Sequence, residues 1–236
     1  WDVLLSLSVG TVTLVIFILR QFKLKQPILE FRVFKFKVFT LTTILGMNVF
    51  VAMIGTAVIM PLFMQNMLHF SPLESGLVIL PGAILMGLMN PITGRLFDLF
   101  GARWLAITGL SILSVTTFML TTLSTETTFT YLAVVNGLRM LGISMVMMPV
   151  TTAGLNTLPA RLIPHGSAMN NTMRQVSGAV GTAFLVSIMT MSARPDTGEN
   201  GLIHGVNVSF FVAGVFAVIG LLMSFYIKSK SVIHEK

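Results

Sequence analysis

The chain has 236 residues, of which 54% are hydrophobic and only 10% charged, with a formal net charge of +7 and no cysteine. Soluble domains carry about 25% charged residues, so a soluble globular fold is excluded, as are disulfide frameworks and thiolate metal sites. The basic residues flank apolar segments and form no single patch, which excludes a nucleic-acid surface, and the four histidines (His69, His165, His204, His234) have no metal-ligand spacing.

A helix needs about 20 apolar residues to cross the hydrocarbon core of a bilayer. Seven segments meet that requirement, at 3–20, 39–64, 72–93, 104–123, 129–152, 166–191 and 206–227. The first has no charged region before it and begins at Trp1, so it is not a signal peptide. The expectation is a chain that starts inside a longer protein. Lysine and arginine accumulate in cytoplasmic connections. Here the alternate connections, with the last tail, hold twelve basic residues, and the opposite set holds only Arg194. The chain is therefore expected to start outside, cross seven times and end in the cytoplasm.

The connector at 21–38 includes PILEFRVFKFKVF, where aromatics interleave with cations. It is too short and charged to span. The expected placement is interfacial, with phenylalanines dipping into the acyl boundary and cations near anionic headgroups.

The connection after the third segment reads Gly94-Arg95-Leu96-Phe97-Asp98-Leu99-Phe100-Gly101-Ala102-Arg103. Gly94 and Gly101 suit a tight turn with close backbone approach and positive φ. Asp98, between Arg95 and Arg103, can accept from helix N-terminal amides or pair with either cation. Such a loop makes a latch that can be broken and remade. It also fits a plain, well-capped turn that obeys the charge bias.

This loop resembles the GxxxDxxGxR signature of major facilitator superfamily transporters. The longer stretches HFSPLESGLVILPGAILMGLMNPITGRLFDLFGAR and NTLPARLIPHGSAMNNTMRQVSGAVGTA are similar to the fourteen-helix drug:proton antiporters of the EmrB/QacA type, with lincomycin-resistance exporters as the nearest kind. Leu99 and Ala102 depart from the family pattern, which often has a basic residue at these positions. The resemblance covers essentially the whole chain. It implies an all-α polytopic membrane protein: an extra transmembrane helix (1–20), a connector (21–38), a C-terminal six-helix bundle (39–227) and a cytoplasmic tail (228–236). It further implies half of a proton-driven multidrug exporter that is not an enzyme and needs no cofactor or metal. Its partners would be the N-terminal half, membrane lipids, protons and a hydrophobic drug-like substrate, in a bacterial plasma membrane. Export of a metabolite, amino acid or lipid, a seven-helix receptor, and a non-transporting fragment remain alternatives.

Two arginines fall near the middle of spans, Arg139 in the fifth and Arg174 in the sixth. By insertion scales each costs roughly 2.5–3.5 kcal/mol at a helix centre, so each is expected to face a protein interior or a water-filled cavity. Asn48, Asn136, Asn170, Asn171 and Gln175 join them as cavity or gating candidates. Asn171, Arg174 and Gln175 sit at i, i+3 and i+4 on one helical face. No acid lies mid-span; if protons drive transport, the titrating carboxylate is expected in the other half. Ser177, Gly178, Gly181 and Thr182 form small-xxx-small pairs suited to close helix packing. Pro61, Pro81, Pro91 and Pro149 are expected to kink their spans.

Overall fold

The computed structural model describes residues 2–23, 30–194 and 198–227. The expected tail, part of the connector and Asp196 lie outside them. Among the described residues the fold is all-α: α1 (Asp2–Lys23), α2 (Lys37–Asn66), α3 (Pro72–Met119), α4 (Phe129–Leu155), α5 (Ile163–Ser192) and α6 (Glu199–Ser224). α2 to α6 are each long and apolar enough to cross a membrane. The chain is a polytopic membrane protein.

α3 is 48 residues long. A straight helix of that length would measure about 72 Å, more than twice the hydrocarbon core of about 30 Å. It breaks at Gly101, whose φ of 76° and ψ of 168° are not helical. Cross-helix packing shows that the chain reverses there. The first limb (72–100) runs parallel to α4, with Gly82 against Asn136 and Gly94 against Met148. The second limb (102–119) runs antiparallel to α4, from Gly109 against Gly142 to the Met119 carbonyl, which accepts from the Tyr131 hydroxyl at 2.7 Å. The expected ten-residue turn at 94–103 is therefore corrected to a single-residue break. Gly94 is helical and has no positive φ. The helix runs on through it, and Gly101 alone in this stretch supplies the conformation that L side chains avoid.

The four prolines lie inside α2, α3 and α4, and none has non-helical dihedrals. They do not end their helices. Neighbouring helices and local hydroxyls can satisfy the backbone groups that a proline frees within a membrane.

Helix starts are written locally. Ser71 and Glu74 form a reciprocal capping box, with Ser71 N donating to Glu74 Oε2 at 2.8 Å and Glu74 N donating to Ser71 Oγ at 3.2 Å. Pro72 follows at the first helical position, where its missing N–H costs nothing. Thr128 Oγ1 accepts from Tyr131 N at 3.3 Å and caps α4. α6 begins at Glu199, seven residues before the apolar run suggests, because its first turn is polar.

Glycines set how closely the helices approach, as lipid offers no hydrophobic drive for helix association. A Cβ at Gly109 would lie 2.6 Å from the Gly142 carbonyl oxygen, and one at Gly142 would lie 2.7 Å from the Gly109 carbonyl oxygen. The expected α5 stripe is used against α2: Gly178 meets Phe50, Gly181 meets Val51, and Ser177 Oγ donates to the Met47 carbonyl at 3.3 Å. Asn207 of α6 clamps Leu123 at two points, accepting from its N–H at 3.1 Å and donating to its carbonyl at 3.0 Å. Asn207→Ala is expected to cost about 1–3 kcal/mol, because it leaves both backbone groups of a half-buried turn unmatched. Thermal melting in lipid nanodiscs measures it, with Asn207→Asp as the variant that keeps only the acceptor.

The described part of the connector rests on the bundle. Phe31–Lys35 is a 3-10 helix, and Val33 is fully buried. Phe31, Phe34 and Phe36, each half-buried, pack against a cluster of Val33, Phe39, Leu158 and Met169 at the Gly101 end of the bundle. The bundle offers them a preformed apolar notch between the starts of α2 and α5, while Arg32 and Lys35 stay exposed.

Candidate functional site

The expected cavity residues separate into two groups. The first is internal and centred on α4. Arg139 is fully buried. Its Nε donates to Thr117 Oγ1 of α3 at 3.4 Å and its Nη2 donates to the Ala52 carbonyl of α2, which also accepts from Thr56 Oγ1 at 3.0 Å. Nη1 is buried without a partner. The guanidinium thus bridges three helices through neutral acceptors. One turn earlier Asn136, 1% exposed, sits over Gly82, where a Cβ would come within 2.9 Å of its Nδ2. Asn48 faces Gly220 of α6, and its Oδ1 is buried and unmatched.

The second group lies on the open side of α5. Asn171 and Gln175 are exposed and Arg174 is half-buried. Ala179 and Ala183 continue this strip with small residues, while Val176, Val180 and Phe184 form a separate exposed apolar strip suited to lipid. The Arg174 stem crosses α2 at Gly46, where a Cβ would lie 3.8 Å from Arg174 Cδ and 3.9 Å from Asn170 Oδ1. Asn170, 4% exposed, donates from Nδ2 to Thr151 Oγ1 of α4 at 3.5 Å. Arg174 Nε and Asn170 Oδ1 are both buried without partners. Neither intramembrane arginine is paired with an acid among the described residues.

In the signature loop, Arg95 and Asp98 are exposed and Arg103 is half-buried. Gly94 and Gly101 bracket a helical stretch that spaces these side chains along the end of the first limb. Asp98 pairs with neither arginine among the described residues.

Three participants escaped sequence reasoning. Thr117 and the Ala52 carbonyl hold Arg139, and Gly46 marks where the Arg174 stem lies against α2, at ordinary contact distance. Neither a backbone carbonyl nor such a contact has a sequence signal. His69, at a positive φ of 55°, ties the turn between α2 and α3 to the start of α6 through Glu199.

Residues 5–182 match the model of the Major Facilitator Superfamily. The chain is 51% identical over 229 residues to a Bacillus subtilis protein described as an uncharacterized MFS-type transporter, YcnB, covering 96% of this chain and 48% of that protein. It is 40% identical over 236 residues to the lincomycin resistance protein LmrB of Listeria monocytogenes, covering 96% of this chain and 50% of that protein. It is 38% identical over 243 residues to LmrB of Bacillus subtilis, covering 98% and 51%. The chain spans about half the length of the curated relatives it matches.

Proposed function

The chain belongs to the Major Facilitator Superfamily, and on that premise we propose that it is the C-terminal half of a multidrug exporter in a bacterial plasma membrane. The chain would lie with its start outside and its end in the cytoplasm. Two six-helix bundles would rock about a central cavity, with hydrophobic drug-like molecules leaving in exchange for protons. Residues 39–227 are the C-terminal bundle, 1–20 an added helix, 21–38 its connector and 228–236 a tail. The names and half-length coverage of the relatives support this reading.

One observation carries it: a membrane helix leaves Asn171, Gln175 and the half-buried Arg174 on a side that no other described helix covers. Polar groups exposed to hydrocarbon are costly, and such residues normally face protein or water. A second bundle together with an aqueous cavity satisfies both. Gly94, Arg95, Asp98, Gly101 and Arg103 form the latch of the cycle, and the unpaired Asp98 supports an open latch here. The internal group centred on Arg139 fixes the bundle as a rigid body that can rock as a unit. Mid-span acids are absent from this sequence, so the proton carrier belongs to the other half.

Expression of the two halves as separate polypeptides in a susceptible, pump-deleted bacterium tests the proposal. Together they are expected to restore resistance to amphipathic antibiotics, and this chain alone is expected to give none. Resistance from this chain alone would sink the half-transporter reading. Assembled halves that export nothing would sink the export reading.

A further inference from the structure

We propose that Arg174 and Asn170 form a subsite for the acid group of an amphipathic organic anion, so that the exporter prefers carboxylate-bearing cargo over neutral or cationic cargo of the same shape. This inference rests on the export reading and names the cargo class of that same cavity.

The geometry is specific. Arg174 lies about 17 Å along α5 from its first residue, deep in the span at 1.5 Å per residue. Its stem is pinned on Gly46 by packing, and the guanidinium edge that carries Nε is buried without a partner. No acid offsets the charge among the described residues. A guanidinium in a partly desolvated site is an open position for an oxyanion, since its fork of N–H donors matches a carboxylate. Asn171 and Gln175 flank it with exposed amides that can donate to the same oxygens.

Asn170 adds direction. Its Nδ2 is committed to Thr151, which turns Oδ1 towards the Gly46 notch, where it is buried and unmatched. Oδ1 and Nε have no exposed surface, so the acid of a ligand meets the exposed part of the guanidinium, which Asn170 and the α2 wall hold in place. Cationic cargo meets the field of both Arg174 and Arg139 with no mid-span acid in this sequence to offset it.

The test uses the whole transporter, this chain with its N-terminal half, in proteoliposomes. One amphipathic fluorophore is offered in three forms: the carboxylate, its primary amide and the matching amine. The wild type is expected to bind the carboxylate about tenfold more tightly than the amide, the scale of one charge-assisted hydrogen bond, and the amine most weakly. Arg174→Gln is expected to abolish that preference, with carboxylate binding falling to the level of the amide. Arg174→Lys keeps part of it. Gly46→Leu, which fills the notch and displaces the stem, is expected to behave like Arg174→Gln and guards against a folding defect at Arg174 itself.

The proposal is overturned if the wild type binds the three forms equally, or if the preference survives Arg174→Gln. It is also overturned if Arg174→Gln lowers binding of all three together, because Arg174 then pairs with an acid of the other half and not with cargo. Export of the amide and amine without any preference for the acid defeats this proposal alone. Binding without export of any form defeats the export reading alone.

Discussion

Arg139→Ala is expected to destabilise the bundle by about 2–5 kcal/mol, the range for deleting a large buried side chain and leaving a cavity. Arg139 is the largest fully buried side chain, and it fills the junction of α2, α3 and α4. Arg139→Met should behave differently. The junction stays filled, while a desolvated charge with an unmatched Nη1 is removed. Replacing a buried charge by a well-packed apolar side chain is often neutral or stabilising, so the methionine variant is expected to melt at or above the wild-type temperature in nanodiscs. The hydrogen bonds to Ala52 and Thr117 would set the cost if the methionine variant were as unstable as the alanine variant. In that case the charge has a holding role that volume cannot replace.

Gly142→Leu is expected to be worse. The first carbon of any side chain there would sit 2.7 Å from the Gly109 carbonyl oxygen and 3.0 Å from the Leu113 amide nitrogen. Both are backbone atoms of another helix, so no rotamer relieves the clash and α3 must move away from α4. Overpacking in a core typically costs about 1–3 kcal/mol, and here it falls on the closest crossing between these two helices. Folded yield in membranes should fall steeply, and Gly109→Ala should show a smaller version of the same defect. Once one glycine is lost the helices are already parted, so the double variant is expected to cost less than the sum of the two. Strict additivity in melting experiments would mean that the pair does not share one contact.

The helices were legible because an apolar run long enough to span a bilayer has few other fates. The ends were less legible. α6 starts with Glu199 and Asn200, and no hydropathy reading extends a span through such residues. At the signature loop both glycines looked equally suited to a turn, yet only Gly101 breaks the helix; the difference depends on where the second limb finds its partner, Gly142. The candidate residues were found as polar groups in apolar runs. Their division into an internal set (Asn48, Asn136, Arg139 and Asn170) and a set on the open side (Asn171, Arg174, Gln175) was not readable. α5 alternates polar and apolar strips at close spacing, and which strip is covered is decided by α2. Phe50 and Val51 of α2 meet Gly178 and Gly181, and that choice turns Asn171 outward. The packing of the connector phenylalanines was not readable for the same reason, since aromatic residues beside cations fit a lipid boundary and a protein notch equally well.

The break at Gly101 leaves no slack between two antiparallel limbs. A linker of several residues would let each limb turn about its own axis without disturbing the other. With one residue, the angular setting of the second limb is fixed by the chain itself. Adding a single residue to the second limb between Gly101 and Gly109 would rotate everything that follows by about 100°, carrying Gly109 off the crossing with α4 and Thr117 away from Arg139. The length of that short segment thus sets the phase in which the second limb reaches the junction at the heart of the bundle.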